Sequence, residues 1–279
     1  MLEEVDVESL KKKVKIGDPA AMVELADYHR SQNEDNEAFR LLSRAVLFSY
    51  AKAERRLGYF YEKGIGCQVD YEKAFHYYQL AASHGDEKAK YNLAVLYNLD
   101  KGCEQNSEKA FQLAKESSLS YYGKAFLLLA YFYEHAVGCE LDYEKALDCY
   151  LKALDAGEKN IYHKLGQYAY YGYGQEQNLS LAFSYFYKGA NEKEKACYYY
   201  LGAMYAKGEG ENKDLTKACY WYQQGANSGD PKSMYNLALY YENGIYVPKD
   251  MDKAIYWLKK SAALGFDLAI NKMQLLQNK

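Results

Sequence analysis

One alanine returns every 36 residues through most of this chain, at Ala38, Ala74, Ala110, Ala146, Ala182, Ala218 and Ala254. A leucine followed by a small residue keeps step with it: Leu57-Gly58, Leu93-Ala94, Leu129-Ala130, Leu165-Gly166, Leu201-Gly202 and Leu237-Ala238. A fixed period of roughly 20–50 residues marks a repeat architecture, in which each unit buries its apolar face against its neighbours. A chain of 279 residues would otherwise suggest one or two globular domains. The period instead predicts one extended body without a single central core.

The unit from Ala53 to Gly85 shows the local logic. Ala53, Leu57, Phe60 and Tyr61 fall at helical spacing, and Gly64-Ile65-Gly66 supplies residues able to close a helix in the left-handed conformation. Asp70 is then a good cap, because its carboxylate accepts backbone N–H groups of the next turn. Glu72 sits near the positive end of a second helix, whose buried stripe is Ala74, Tyr77, Tyr78 and Ala81. The capping position is Asp or Asn in six successive units, at Asp70, Asn106, Asp142, Asn178, Asp214 and Asp250. Gly58, Gly166 and Gly202 lie in mid-helix, where glycine costs about 1 kcal/mol relative to alanine. Close approach of a partner helix is the expected reason. Pro19 and Pro231 follow Gly-Asp pairs and fit the first turn of a helix.

These signals predict an all-α solenoid of antiparallel helix pairs. Seven repeats run over 20–50, 51–86, 87–122, 123–158, 159–194, 195–230 and 231–266. A capping half-repeat precedes them at 1–19, and a capping helix follows at 267–279. The first repeat is shortened in its loop, where Ser31-Gln32-Asn33-Glu34 replaces the glycine-rich turn.

Net charge is −3 and the isoelectric point is near 6.0, which argues against a phosphate backbone as partner. The lysines at Lys11, Lys12 and Lys13 follow Glu3, Glu4 and Glu8 and read as a solvated helix face. The N-terminus is acidic and lacks an apolar leader segment, and no stretch has the length of a membrane span, so a cytoplasmic location is expected. Cys67, Cys103 and Cys139 recur at one repeat position, on the order of 10 Å apart in stacked pairs, too far for a disulfide. Cys149, Cys197 and Cys219 read as core fillers. His135 precedes Cys139 by four residues, but a lone pair makes no metal site, and zinc spacing is absent. No cofactor or metal is expected. Catalytic motifs are missing too, and the GxG loops, such as Gly172-Tyr173-Gly174, end helices and follow no strand.

The stretch from Leu57 to Gly66 followed by Asp70-Tyr71-Glu72-Lys73-Ala74 resembles the Sel1-like repeat family, relatives of tetratricopeptide repeats. So does the stretch from Leu201 to Gly210 followed by Asp214-Leu215-Thr216-Lys217-Ala218. The resemblance covers roughly residues 20 to 266. It implies a right-handed α/α superhelix and a non-enzymatic adaptor that assembles protein complexes. A cysteine-rich secreted branch of the family, associated with penicillin binding or hydrolysis, carries paired cysteines in each repeat; this chain lacks them. Hydrolysis is therefore a remote alternative, with His163 the one histidine placed in the groove. Within binding, the chain either scaffolds a complex or blocks a target as an immunity protein blocks a toxin, and delivery as an effector is a further version.

The 33 tyrosines direct attention to a surface. Tyr61, Tyr97, Tyr133, Tyr205 and Tyr241 share one position and read as structural. So do Tyr77, Tyr78, Tyr150, Tyr185, Tyr187, Tyr220, Tyr222 and Tyr256, expected mostly to face neighbouring helices. By analogy with tetratricopeptide repeats, first-helix positions flanking the leucine face a concave groove. They hold Arg55, Tyr59, Tyr91, Tyr131, His163, Tyr199 and Tyr235 together with Val95, Leu127, Gln167, Ala203 and Leu239, with Tyr170 beside them. Lys52, Lys88, Lys124 and Lys232 line one margin, and Glu62, Glu134 and Glu242 lie further along. Tyrosine offers rigid area plus a hydroxyl, so the expected partner is a protein segment or peptide, bound by a chain that is monomeric alone.

Overall fold

The computed structural model describes residues 6–277, and the predicted capping stretches reach beyond it at 1–5 and 278–279. Among the described residues the regular structure is entirely helical, and the chain forms two compact units.

The first unit extends to Asp142. It contains α1 (Val7–Lys15), α2 (Pro19–Ser31), α3 (Asp35–Ala45), a short 3-10 turn (Val46–Phe48), α4 (Ala51–Lys63), α5 (Tyr71–Ser83), α6 (Glu87–Leu99), α7 (Ser107–Ser118) and α8 (Gly123–His135). The second begins at Tyr143 and contains α9 (Tyr143–Asp155), α10 (Tyr162–Tyr171), α11 (Leu179–Asn191), α12 (Ala196–Lys207), α13 (Leu215–Asn227), α14 (Pro231–Asn243), α15 (Met251–Ala263) and α16 (Asp267–Gln277). Within each unit, short loops fold consecutive helices back on one another, and the 36-residue period steps from pair to pair.

From α4 onward the turn inside a pair is built the same way. Gly64 ends α4 in the left-handed conformation, and the Ile65 N–H returns to the Phe60 carbonyl at 3.0 Å. The Asp70 N–H donates to the Tyr61 carbonyl at 3.0 Å, while its carboxylate accepts the Lys73 N–H at 2.9 Å and opens α5. Asn106, Asn178, Asp214 and Asp250 cap α7, α11, α13 and α15 alike. Asp18 and Asp230 cap the proline-led helices α2 and α14. In the shortened first loop Asn33 takes a positive φ, as Asp100 and Ala136 do at the ends of α6 and α8, where Gly64 does so for α4.

Packing accounts for the mid-helix glycines. A β-carbon at Gly58 would lie 2.8 Å from the Tyr78 ring and 3.1 Å from the Ala74 carbonyl oxygen. Phe186 covers Gly166 and Tyr222 covers Gly202 in the same manner. The cores are therefore thin layers of leucine, alanine and large rings, with Tyr168 and Phe186 both buried in the α10–α11 pair. Tyr78, Tyr168, Phe132 and Phe186 are among the largest fully buried side chains.

The repeat tyrosines Tyr61, Tyr97, Tyr205 and Tyr241 each lie under a lysine of the following helix (Lys73, Lys109, Lys217 and Lys253) at 5.1–5.6 Å from the ring centre. Their shared position is thus a structural one.

All six cysteines are free thiols. Cys149 and Cys197 are buried, whereas Cys219 is only half-buried. The loop thiols are more enclosed than their position suggests. Cys67 points its Sγ at the Phe60 carbonyl oxygen 3.6 Å away, and burial pushes the thiols of Cys67 and Cys103 up.

Candidate partner-binding site

In the first unit the leading helices of successive pairs lie side by side. An ion pair between Arg56 of α4 and Asp27 of α2, at 2.8 Å, ties two of them together. On this surface α4, α6 and the start of α8 enclose a cleft of about 490 Å³. Arg55, Tyr59, Lys88, Tyr91 and Lys124 line it, all of them expected groove positions. A more open neighbour of about 580 Å³ shares Arg55 and Lys88 and adds Lys52. Six residues chosen from repeat position alone thus meet on one surface.

The walls combine rigid rings with charge. Tyr59 is 39% exposed, with the ammonium of Lys63 5.9 Å from its ring centre. Tyr91 meets Tyr122 edge-on at 5.4 Å, and Lys88 stands 5.5 Å over the Tyr122 ring. Arg55 is held by Asp86 at 2.8 Å. Glu62 accepts hydrogen bonds from Lys63 at 2.6 Å and from the buried Tyr78 hydroxyl at 2.7 Å. Burial, with the Glu62 charge beside it, pushes the Tyr78 phenol far above its ordinary range. The site therefore rests on the core through Tyr78.

Tyr122 itself was not anticipated. It occupies the cap position of α8 and makes no side-chain capping bond there. A tyrosine where Asp86 and Asp230 stand in other repeats was the available signal. Tyr131, further along α8, is 42% exposed and stacks on His135 with ring centres 4.3 Å apart.

In the second unit the expected positions are engaged singly. The His163 ring is bound to Glu194, whose carboxylate also accepts the backbone N–H groups of Tyr162 at 3.1 Å and His163 at 3.0 Å. Glu194 thereby caps α10 from about thirty residues further on. This role has no local sequence signature. The Tyr170 hydroxyl donates to Glu209 at 2.7 Å. Lys232 lies 5.4 Å over the Tyr199 ring, and Tyr235 packs edge-on against Phe266 at 5.5 Å.

The reading of second-helix tyrosines as inward-facing needs correction. Tyr78, Tyr150 and Tyr222 are buried, but Tyr187, Tyr220 and Tyr256 are 43%, 55% and 49% exposed. Their positions in the repeat differ from the buried stripe by one or two residues, which on a helix turns the side chain outward. Among the described residues no group of three or more His, Cys, Asp or Glu side chains could hold a metal ion, and no helix is long and apolar enough to cross a membrane.

Comparison with known proteins gives these pairs their family. The Sel1 repeat description matches residues 51–86, 87–120, 124–158, 162–193, 195–230 and 231–266. The chain belongs to the Sel1 repeat family. The crystal structure of a protective antigen from uropathogenic Escherichia coli, described as displaying an SLR fold, superposes with a TM-score of 0.86 at 28% identity. That superposition covers 94% of this chain and 57% of the antigen. A Sel1 repeat protein from Oxalobacter formigenes gives 0.77 at 25% identity, covering 86% of this chain and 96% of its own. In sequence, the chain is 36% identical over 77 residues to the chitin synthase regulator SKT5 of Saccharomyces cerevisiae. It is equally similar over 78 residues to that yeast's activator of C kinase protein 1. It spans only 11% and 12% of those two proteins, and just over half of the antigen. Sel1 repeats are in general protein-interaction scaffolds, and the solenoid of helix pairs is the expected fold.

Proposed function

We propose that this Sel1 repeat chain is a non-enzymatic adaptor that holds a segment of a partner protein against its leading helices. The binding surface comprises Lys52, Arg55, Tyr59, Lys88, Tyr91, Lys124 and Tyr131 in the first unit. His163, Tyr170, Tyr199, Lys232 and Tyr235 hold the related positions in the second. The observation that carries the reading is the cleft itself. Residues 36 apart in sequence converge on it, and they bring the aromatic and cationic groups that dominate interface energetics. Each leading helix is fixed by its own core layer, so the side chains are presented on a rigid frame and lose little freedom on binding. The two yeast relatives are named for regulating or activating another protein, which fits a binding role.

The test compares two triple substitutions in quantitative co-purification from the native host. Tyr59→Ala, Tyr91→Ala and Tyr131→Ala together should remove a stoichiometric partner that wild type retains. Tyr187→Ala, Tyr220→Ala and Tyr256→Ala together should leave it. The reverse pattern, in folded variants, would move the site to the second helices and refute the proposal.

A further inference from the structure

The lysines of the cleft stand out from its other cations. Arg55, Arg56 and Lys63 are each paired with a carboxylate, at 2.8, 2.8 and 2.6 Å. Lys52, Lys88 and Lys124 form no ion pair among the described residues, and Lys88 has only the Tyr122 ring. All three occupy the second position of a helix, since α4 starts at Ala51, α6 at Glu87 and α8 at Gly123. A cation there opposes the helix dipole. A locally unfavourable choice repeated three times in step, without a carboxylate to offset it, is the pattern expected where a site is maintained for a ligand.

Their spacing selects the ligand's shape. Side-by-side helices lie about 8–10 Å apart, so the row presents a positive charge at each such step. A polyproline II helix turns once in three residues and rises about 3.1 Å per residue, so every third side chain returns to the same face after about 9.3 Å. A β-strand covers a similar distance in three residues but sends them to alternate faces. An α-helix returns after seven residues and about 10.5 Å, yet it is about 10 Å thick. Tyr59, Tyr91 and Tyr122 on the cleft walls match the aromatic lining that polyproline II ligands dock against.

We infer that the cleft takes an extended, polyproline II segment of a protein, with an acidic residue at every third position. Each carboxylate meets one of Lys52, Lys88 and Lys124, and the intervening residues lie on the tyrosines. This inference rests on the adaptor reading and names the chemistry of its partner.

Fluorescence anisotropy with synthetic peptides tests it. The first peptide has four glutamates, each followed by two prolines. The second has the same residues with the glutamates gathered at one end. The third is a helical peptide with glutamate at every seventh position. The first should bind roughly tenfold more tightly than the second, as expected from three modest ion pairs acting together. Lys52→Gln, Lys88→Gln and Lys124→Gln combined should abolish that difference while leaving the circular dichroism of the protein unchanged. Equal affinity for the first two peptides, with or without those substitutions, would overturn the charge spacing. Tighter binding of the helical peptide would overturn the polyproline II conformation. If no peptide binds but the tyrosine substitutions still release the cellular partner, this inference fails and the adaptor reading stands. If those substitutions release nothing either, both fail.

Discussion

A β-carbon at Gly58 would strike the Tyr78 ring, so the two positions are chosen together. The same pairing recurs as Gly166 with Phe186 and Gly202 with Tyr222, and it relaxes where alanine appears: Ala238 packs in one layer with Leu258. Replacing glycine by alanine in mid-helix ordinarily gains about 1 kcal/mol. Gly58→Ala should instead lower stability by about 1–3 kcal/mol, because the overpacked ring has no empty space to enter. Adding Tyr78→Leu should recover part of that loss, measured as the shift in urea midpoint. A gain in stability from Gly58→Ala alone would show that the ring moves freely. The buried phenols make a second residue-scale prediction. Burial holds Tyr222 protonated well above the range in which an unfolded tyrosine ionises, near pH 10. The unfolded chain therefore releases its proton first. Stability is intact below about pH 10 and falls as pH rises beyond it. Tyr222→Phe should flatten part of that alkaline decline, followed by denaturation between pH 8 and 11. An unchanged slope would remove Tyr222 from the account.

At the scale of one helix, the ends decide what forms. Asp214 is a local cap, and Asp214→Ala should cost about 1 kcal/mol. α10 has no such residue, since Ile161 stands at its cap position without a side-chain bond. The buried Glu194 supplies the missing acceptor from the loop between α11 and α12 and binds His163 as well. Glu194→Ala leaves two partly buried N–H groups and the imidazole without their acceptor, so it should cost about 2 kcal/mol or more. Comparison of the two variants by thermal unfolding checks the ranking, and equal losses would contradict it. The contrast also marks where sequence was legible. The caps at Asp70, Asn106, Asn178, Asp214 and Asp250 act over three residues and could be read directly. Glu194 acts over about thirty, and nothing in its own neighbourhood distinguishes it from a surface glutamate. The outward tyrosines were missed for a related reason. Composition counted Tyr220 and Tyr256 with Tyr222, although one or two residues of helix separate an inner face from an outer one.

Across the whole molecule, stability is distributed in layers, each made by one helix pair and its neighbours, as expected of a repeat chain. A local defect should accordingly stay local. Gly202→Ala, which drives a β-carbon into Tyr222, should accelerate amide exchange in α12, α13 and the adjoining helices. The rates in α4 to α7 should stay as they were. Uniform acceleration would mean that the chain unfolds as one cooperative body. The same layering explains how much of the site could be foreseen. Periodicity placed Lys52, Arg55, Tyr59, Lys88, Tyr91 and Lys124 on one surface because equivalent residues stack. Tyr122 lay outside that reasoning, since it sits at a helix end rather than on the repeating face.

The central claim is that the leading helices, and not the outer tyrosines of the second helices, meet the partner. A photo-reactive phenylalanine analogue placed at Tyr91 in one variant and at Tyr220 in another, irradiated in living cells, tests it most directly. The account predicts one covalent adduct of defined mass from position 91, lost when Lys52, Lys88 and Lys124 are replaced by glutamine, and none from position 220. An adduct formed from position 220 with position 91 silent would contradict it.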